Sequence, residues 1–173
     1  MRKVLVLVVV GVGLLGAAQR GLSEKGRARI AKEVRHALVM LPYYSVFDNL
    51  EYKVEDGAVT LEGQVTQPSL KKDAESAVKD IEGVERVVNQ IEVLPPAPDD
   101  DRIRRAAFRA IYGQTALNRY AIAAVPSIHI IVKGGRITLE GVADSEGDKN
   151  IAGIQANSVP GVFAVTNRLR VER

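Results

Sequence analysis

Residues 54–65 read VEDGAVTLEGQV, and residues 132–142 repeat the pattern as VKGGRITLEGV. The shared tetrapeptide TLEG begins at Thr60 in the first stretch and at Thr138 in the second. The same offset relates four more pairs: Gly57 with Gly135, Gly83 with Gly161, Asn89 with Asn167, and Val93 with Val171. A constant offset indicates two copies of one structural unit, with no insertion or deletion between these landmarks.

Each of these stretches predicts a β-hairpin. In the first copy, Leu50, Tyr52 and Val54 alternate with charged residues, and the dipeptide at 56–57 is Asp-Gly, which favours a tight turn. The alternation then resumes at Val59. In the second copy the strands are expected near residues 127–132 and 136–143.

Helical periodicity flanks the first hairpin on both sides. Ile30, Val34 and Leu38 form one apolar stripe before it, and a second helix is expected after it, capped by Ser69 and ending before Gly83. A third strand is expected near residues 86–93. The second copy repeats this order, with helices near 102–114 and 145–159 and a last strand near 163–171. The prediction is an α+β fold of two tandem αββαβ modules, each a three-stranded mixed sheet with two helices on one face.

Residues 95–101, PPAPDDD, separate the copies and are typical of a stiff linker that ends in a helix start. The predicted modules are therefore residues 29–94 and 102–173, with residues 19–28 linking the first module to a leader. Three adjacent aspartates, Asp99, Asp100 and Asp101, could attract a cation, but a solvated helix start explains them more simply. No metal site is predicted.

Residues 1–18 are typical of a secretory leader. Arg2 and Lys3 precede an apolar run over residues 4–15, and Gly-Ala-Ala follows at 16–18. The run is shorter than the roughly 20 residues that a spanning helix needs, which favours a cleaved signal peptide over an uncleaved anchor. The expected location is the periplasm. The glycines at 11, 13 and 16 match a dinucleotide-binding fingerprint, but Gly21 and Gly26 interrupt the helix that such a site requires and no apolar second strand follows.

Composition excludes several kinds of chemistry. The chain has no cysteine, so disulfides and thiolate sites are excluded, and its 24 basic residues nearly balance 21 acidic ones, which argues against nucleic acid binding. His36 and His129 occupy unrelated positions in the two copies, which favours structural or surface roles over metal binding. No catalytic motif is present. We therefore predict a non-enzymatic protein without a cofactor or small-molecule substrate.

The segment 54–65, followed by a helix and then EGVERVVN at 82–89, resembles the signature of the BON domain. The second copy matches through residues 132–142 and PGVFAVTN at 160–167, so the resemblance covers nearly all of residues 29–173. It implies the bacterial envelope, as in osmotically inducible periplasmic proteins and dual-BON outer-membrane lipoproteins, and it implies binding to phospholipid. Without a lipoprotein cysteine, this chain is more similar to the soluble periplasmic type. Six glycines are expected to have structural roles in turns, helix ends and close approaches: Gly57, Gly63, Gly83, Gly135, Gly141 and Gly161.

Aromatic residues after the first helix form one candidate surface. Tyr43, Tyr44 and Phe47 would enter a lipid headgroup region, or alternatively plug the open end of a small core. A second candidate is the outward sheet face of the second copy, with Ile131, Lys133, Val142, Arg168 and Arg170, where the first copy has Glu51, Glu55, Glu62 and Glu92.

That contrast predicts either a partner or lipid surface on the second copy, or docking of the two sheets through opposite charge. The leading function is binding to anionic phospholipid surfaces, with a role in osmotic or envelope stress protection. The alternative is an adaptor that recruits another envelope protein through open sheet faces or edge strands.

Overall fold

The computed structural model describes residues 22–123 and 125–172, so the predicted signal peptide lies outside the described residues. The first module contains α1 (Glu24–Val39), β1 (Asn49–Glu55), β2 (Ala58–Val65), α2 (Pro68–Lys79), β3 (Arg86–Asn89) and β4 (Glu92–Val93). The second contains α3 (Pro98–Tyr112), β5 (Ile128–Lys133), β6 (Arg136–Ala143), α4 (Glu146–Asn157), β7 (Ala164–Asn167) and β8 (Arg170–Val171). The predicted α+β fold in two modules is confirmed.

Both sheets have the same mixed topology. β1 and β2 are antiparallel with Val54 opposite Val59, and β3 and β4 both pair parallel to β2. The predicted third strand is therefore broken into two short strands, because the Asn89 side chain turns back on the chain. Its Oδ1 accepts from the Ile91 amide at 3.2 Å, and its Nδ2 donates to the Lys71 carbonyl at 2.8 Å. Asn167 makes the same break in the second module.

Three helices begin at residues that differ from the prediction. α1 begins at Glu24, inside the predicted 19–28 linker, because the Ser23 hydroxyl accepts from the Gly26 amide at 3.1 Å. α2 and α3 begin at Pro68 and Pro98, so Ser69 is not a cap and the second half of the predicted 95–101 linker is helical. Proline favours a first helical position because its fixed φ suits the helix and no amide is left unpaired there.

The two modules differ in length between the first helix and the hairpin. The strand offset, which relates Thr60 to Thr138, would relate Ile30 of α1 to Phe108. The buried residue of α3 that corresponds to Ile30 is instead Ile103. The second module therefore has additional residues in this connection, which includes a 3₁₀ turn at Asn118–Ala121.

Each module has its own apolar core. The core of the first is lined by α1, α2 and one face of its sheet, and the core of the second is built in the same way. One buried residue crosses between them, because Val46 of the first module belongs to the core of the second. The connection after α1 therefore ties the two modules together.

Candidate interaction surfaces

A junction between the modules is built around Asp48, which is fully buried. Its carboxylate accepts hydrogen bonds from the Ser45 amide at 3.0 Å, the Ser45 hydroxyl at 2.6 Å, the Thr66 amide at 2.6 Å and the Thr66 hydroxyl at 2.8 Å. These bonds fix the turn over residues 45–48. The turn presents Val46 to the second module, where its carbonyl accepts from the Ile130 amide at 2.8 Å.

Two of the three aromatic residues proposed for a membrane surface pack at this junction. Tyr44 stacks on His129 with ring centroids 5.7 Å apart, and Phe47 packs edge-on against Phe108 at 6.2 Å. Burial raises the pKa of Tyr44 to about 12. Tyr44 packs on the core of its own module, as the plug interpretation described, and also stacks on His129, whereas Phe47 packs on the core of the other module. Tyr43 alone of the three is exposed, at 75%.

The outward sheet faces of the two modules meet at their oppositely charged residues. Lys133 Nζ lies 2.5 Å from Glu92 Oε1, and Ile131 is buried. Arg168 contacts Glu140 of its own sheet at 3.3 Å, while Arg170 is exposed and Val142 is half-buried. Two residues of the proposed partner surface, Ile131 and Lys133, therefore make contacts within the chain. Arg168 and Arg170 face solvent.

His129 lies in the middle of the junction and is uncharged at neutral pH. Burial lowers its pKa, and this outweighs the nearby Asp48 carboxylate and the Ser45 and Asp48 carbonyls, which favour the charged imidazolium. No hydrogen bond from the described residues reaches its Nδ1 atom. His36, on α1, is exposed. The two histidines therefore occupy unrelated environments, and protonation of His129 is coupled to the contact between the modules.

Acidification is expected to destabilise the native chain through His129. The unfolded state binds a proton at the ordinary histidine pKa of about 6.5, whereas the folded state binds it only at lower pH, so stability is complete above that pH and falls below it. Urea unfolding between pH 7.5 and about 5 will show this decline. His129→Gln will flatten it and His36→Gln will not. An unchanged slope in His129→Gln would contradict the assignment.

An exposed surface covers the first turn of α1 and continues along the side of the helix opposite its buried stripe. It contains four basic residues, Lys25, Arg27, Lys32 and Arg35, for which the described part of the chain provides no ion pair. It ends in three apolar residues, Val39, Met40 and Tyr43, which are 47%, 68% and 75% exposed. We call these seven residues the α1 surface.

The backbone at the end of the α1 surface is strained. Tyr43 has a φ of 66°, which costs an L-residue other than glycine about 1–2 kcal/mol. Sequence reasoning singled out Tyr43 but missed Val39 and Met40, which it passed over beside the buried Leu38. The signal was available, because residues 32, 36, 39 and 40 continue one helical face away from the core.

The aspartates at the start of α3 have structural roles. Asp100, predicted to be solvated, is buried and accepts from the Gly134 and Gly135 amides at 2.8 Å, so that prediction was wrong for this residue. It holds the hairpin turn against the start of α3. Asp99 pairs instead with Arg102 on the surface. Residues 22–123 and 125–172 contain no cluster of three side chains suited to a metal ion.

The six predicted structural glycines all have positive φ. Gly63 and Gly141 have the tightest surroundings, because a Cβ atom on either would lie 2.1 Å from a backbone oxygen, that of Asn49 or Ser127. All six lie outside the α1 surface. In the described ranges, no helix has the length and apolar content needed to cross a bilayer.

Comparison with protein-family models identifies one family. The BON domain model matches residues 27–95 and again residues 113–173, most of the chain. The chain belongs to the BON domain family. BON domains of envelope proteins bind phospholipids or membranes, and the family is generally non-enzymatic. The first matched segment spans most of the first module, and the second begins after α3 and covers the rest of the second module.

Other comparisons are distant. Two solved structures of CdsD, a structural protein of the type III secretion system of Chlamydia trachomatis, share 13% and 11% identity with this BON protein. The matches cover 83% and 82% of this chain and 92% and 96% of theirs, with TM-scores of 0.30 and 0.29. These values are too low to support an argument. No curated protein matches the chain.

Proposed function

We propose that this BON protein binds anionic phospholipid membranes reversibly, through the α1 surface, without spanning the bilayer. The observation that carries the proposal is the combination on one helix of an exposed apolar end and four basic side chains that have no ion-pair partner among the described residues. We further propose a periplasmic location and a role in protecting the envelope under osmotic or other stress. The leader-like composition of residues 1–18 and the family's association with envelope membranes support that location.

The strength of such binding follows from the charges and the apolar residues together. A basic residue near an anionic leaflet contributes about 1 kcal/mol, so four contribute on the order of 4 kcal/mol, which alone corresponds to roughly millimolar affinity. Val39, Met40 and Tyr43 add burial of apolar area at about 25 cal/mol per Å². Amphipathic surfaces of this kind adsorb at the headgroup boundary. The interaction is therefore expected to be salt-sensitive and reversible.

The corresponding helix of the second module has a different surface. On α3, Arg102 pairs with Asp99 and Arg104 with Asp101. The residues at the end of α3, Ile111 and Tyr112, are buried, whereas α1 ends in exposed Val39 and Met40. Arg105 and Arg109 of α3 are also exposed and have no ion pair in the described part of the chain, so the two helices differ mainly in the exposed apolar end that only α1 provides. The proposal assigns lipid contact to the first module.

A pair of charge-reversal variants tests this assignment. Lys32→Glu with Arg35→Glu will reduce partitioning onto phosphatidylglycerol-containing vesicles at least tenfold in co-sedimentation at low salt, because it reverses half the basic residues of the surface. The matched control is Arg105→Glu with Arg109→Glu on α3, which changes net charge equally at exposed positions. The control is expected to stay within about twofold of the native chain. Equal losses in both variants would show a general charge effect and refute a site on α1.

The apolar residues at the end of the α1 surface are tested through the salt dependence of vesicle binding. Met40→Ser with Tyr43→Ser is expected to leave a weak, fully salt-sensitive interaction, since only the charges remain. The native chain retains part of its binding at moderate salt. Neutral phosphatidylcholine vesicles serve as the reference surface, and equal binding of the native chain to neutral and anionic vesicles would contradict the electrostatic part of the proposal.

A further inference from the structure

The outer edge of β5 is closed by three hydrogen bonds. The Tyr112 hydroxyl donates to the Ile128 carbonyl at 2.5 Å, the Arg104 guanidinium donates to the Val132 carbonyl at 2.7 Å, and the Ile130 amide donates to Val46 at 2.8 Å. Two of these partners come from α3 and the third comes from the first module. An edge strand normally leaves such backbone groups free to pair with another chain. An added strand would have to displace these bonds, which engage three residues of β5 from Ile128 to Val132.

The first module does not close the corresponding edge in the same way. The strand offset relates Ile128, Ile130 and Val132 to Leu50, Tyr52 and Val54 of β1. The helix offset, which relates Ile30 to Ile103, puts Ala31 where α3 has Arg104, and Val39 where it has Tyr112. Neither side chain can donate a hydrogen bond. β1 packs against β2 and α1 among the described elements.

The outward backbone groups of this edge are open at two of its three positions, Tyr52 and Val54. The Leu50 amide faces the Tyr44 hydroxyl. In the described part of the chain, no hydrogen bond from a side chain or another segment reaches the outward groups of Tyr52 and Val54. Burial differs in the same way, because Ile128, Ile130 and Val132 are fully buried whereas their three counterparts in β1 are only half-buried.

We propose that the open edge of β1 accepts one extended segment of a partner protein as an additional strand, and that this segment alternates apolar and basic residues. Strand addition uses main-chain hydrogen bonds for affinity and alternate side chains for specificity. The apolar residues of the segment would continue the half-buried row of Leu50, Tyr52 and Val54. The site is independent of the lipid-binding function proposed above.

The basic residues follow from the charges on the other face of β1. Glu51, Lys53 and Glu55 are exposed there, and Lys53 is already held by Glu62 at 2.9 Å. Glu51 lies directly opposite Glu62 in the ladder, and although the Asn49 side-chain amide donates to Glu51 at 2.9 Å, Lys53 is the one cation that Glu51, Glu55 and Glu62 share on these two strands. A neighbouring strand with lysine or arginine beside Glu51 and Glu55 would neutralise this row.

The geometry of the second module indicates why the occupant is a single strand. Side chains of α3 reach the outward carbonyls of β5, so the first helix of the module lies over the strand edge. Two copies paired through β1 would bring two such helices together over one edge. A lone segment fits beneath one helix, as residues 45–47 do beside β5, where Phe47 packs on Phe108. The partner is therefore another polypeptide segment and not a second β1.

The test uses synthetic peptides with the full chain. An acetylated, amidated peptide that alternates valine and lysine is expected to bind saturably, with amide NMR shifts and slowed hydrogen exchange at Tyr52 and Val54. A peptide that alternates valine and glutamate is the matched control and will not bind detectably. Binding of both peptides, or of neither, would overturn the proposal, as would shifts centred on β3 instead of β1.

A variant of α1 copies the closure found in the second module. Ala31→Arg introduces the guanidinium that Arg104 provides, and it is expected to pair with the Val54 carbonyl and weaken binding of the valine–lysine peptide at least tenfold. The position is half-buried at the helix surface, so the fold is expected to be retained. Ala28→Arg introduces the same side chain at an exposed position one turn earlier on α1, and this control will bind as the native chain does. Undiminished binding by a folded Ala31→Arg variant would refute the site.

Discussion

Replacing Gly141 with alanine is expected to cost the second module on the order of 4 kcal/mol of unfolding free energy, which is at the upper end for a single substitution. The residue has a φ of 103°, and an added Cβ would lie 2.1 Å from the Ser127 carbonyl oxygen. That oxygen belongs to the backbone, so no side-chain rotation relieves the overlap. One strand of the hairpin must move, and the movement disrupts the pairing of β5 with β6.

Urea unfolding followed by circular dichroism will measure this loss, and Gly147→Ala is the matched control. Gly147 lies in the first turn of α4, where the nearest atom to an added Cβ is the Ser145 hydroxyl at 3.5 Å. Alanine there is expected to stabilise the chain by about 0.4–1 kcal/mol, because it reduces the freedom of the unfolded state. A loss below about 1 kcal/mol in Gly141→Ala would mean that the strand relaxes more easily than its contacts indicate.

Asp48→Ala is expected to have the second largest effect, about 3–4 kcal/mol of unfolding free energy. It leaves the Ser45 and Thr66 donors without their acceptor in a buried site, and hydrogen bonds to a charged group contribute about 1.5–3 kcal/mol each. The variant also releases the turn that places Val46 on β5. We therefore expect a specific signature beyond lower stability, which is faster hydrogen exchange at the Ile130 amide.

Asp80→Ala provides the control for Asp48→Ala. Asp80 is exposed at the end of α2, and the stability of this variant is expected to stay within about 0.5 kcal/mol of the native chain. Native exchange at Ile130 in a folded Asp48→Ala variant would show that the turn persists without its carboxylate. That result would show that the Asp48 carboxylate does not hold the junction between the modules in place.

The architecture was predictable because its signals are local and repeated. The TLEG repeat predicts two hairpins, and the alternation around Tyr52 predicts which face of the strand is buried. The apolar stripe through Ile30 and Val34 predicts which face of the helix packs on the core. Each of these depends on the period of one element. Two occurrences at a constant offset then identify the module, which agrees with the family match to both segments.

The interaction surfaces were harder to predict because periodicity shows that a residue is buried without showing what buries it. Phe47 packs on the core of the other module and Tyr44 stacks on His129 there, and no signal within their own segment indicates these contacts. Asp100 was predicted to be solvated because its neighbours are acidic, yet its carboxylate holds the distant hairpin turn at Gly134. Arg104 and Ala31 occupy corresponding positions of α3 and α1. Their difference shows which strand edge is closed only once the structure shows where the edges of β1 and β5 lie.

The placement of residues 45–47 against β5 also has a consequence for the order in which the chain is made. A ribosome synthesises the first module before the second, and domains generally fold in that order. Residues 45–47 are therefore synthesised before β5, so β5 can pack against this segment as soon as it is made. The order of the two modules along the chain therefore disfavours pairing between the β5 edges of two incompletely folded molecules. A chain with the two modules in the opposite order would lack this protection.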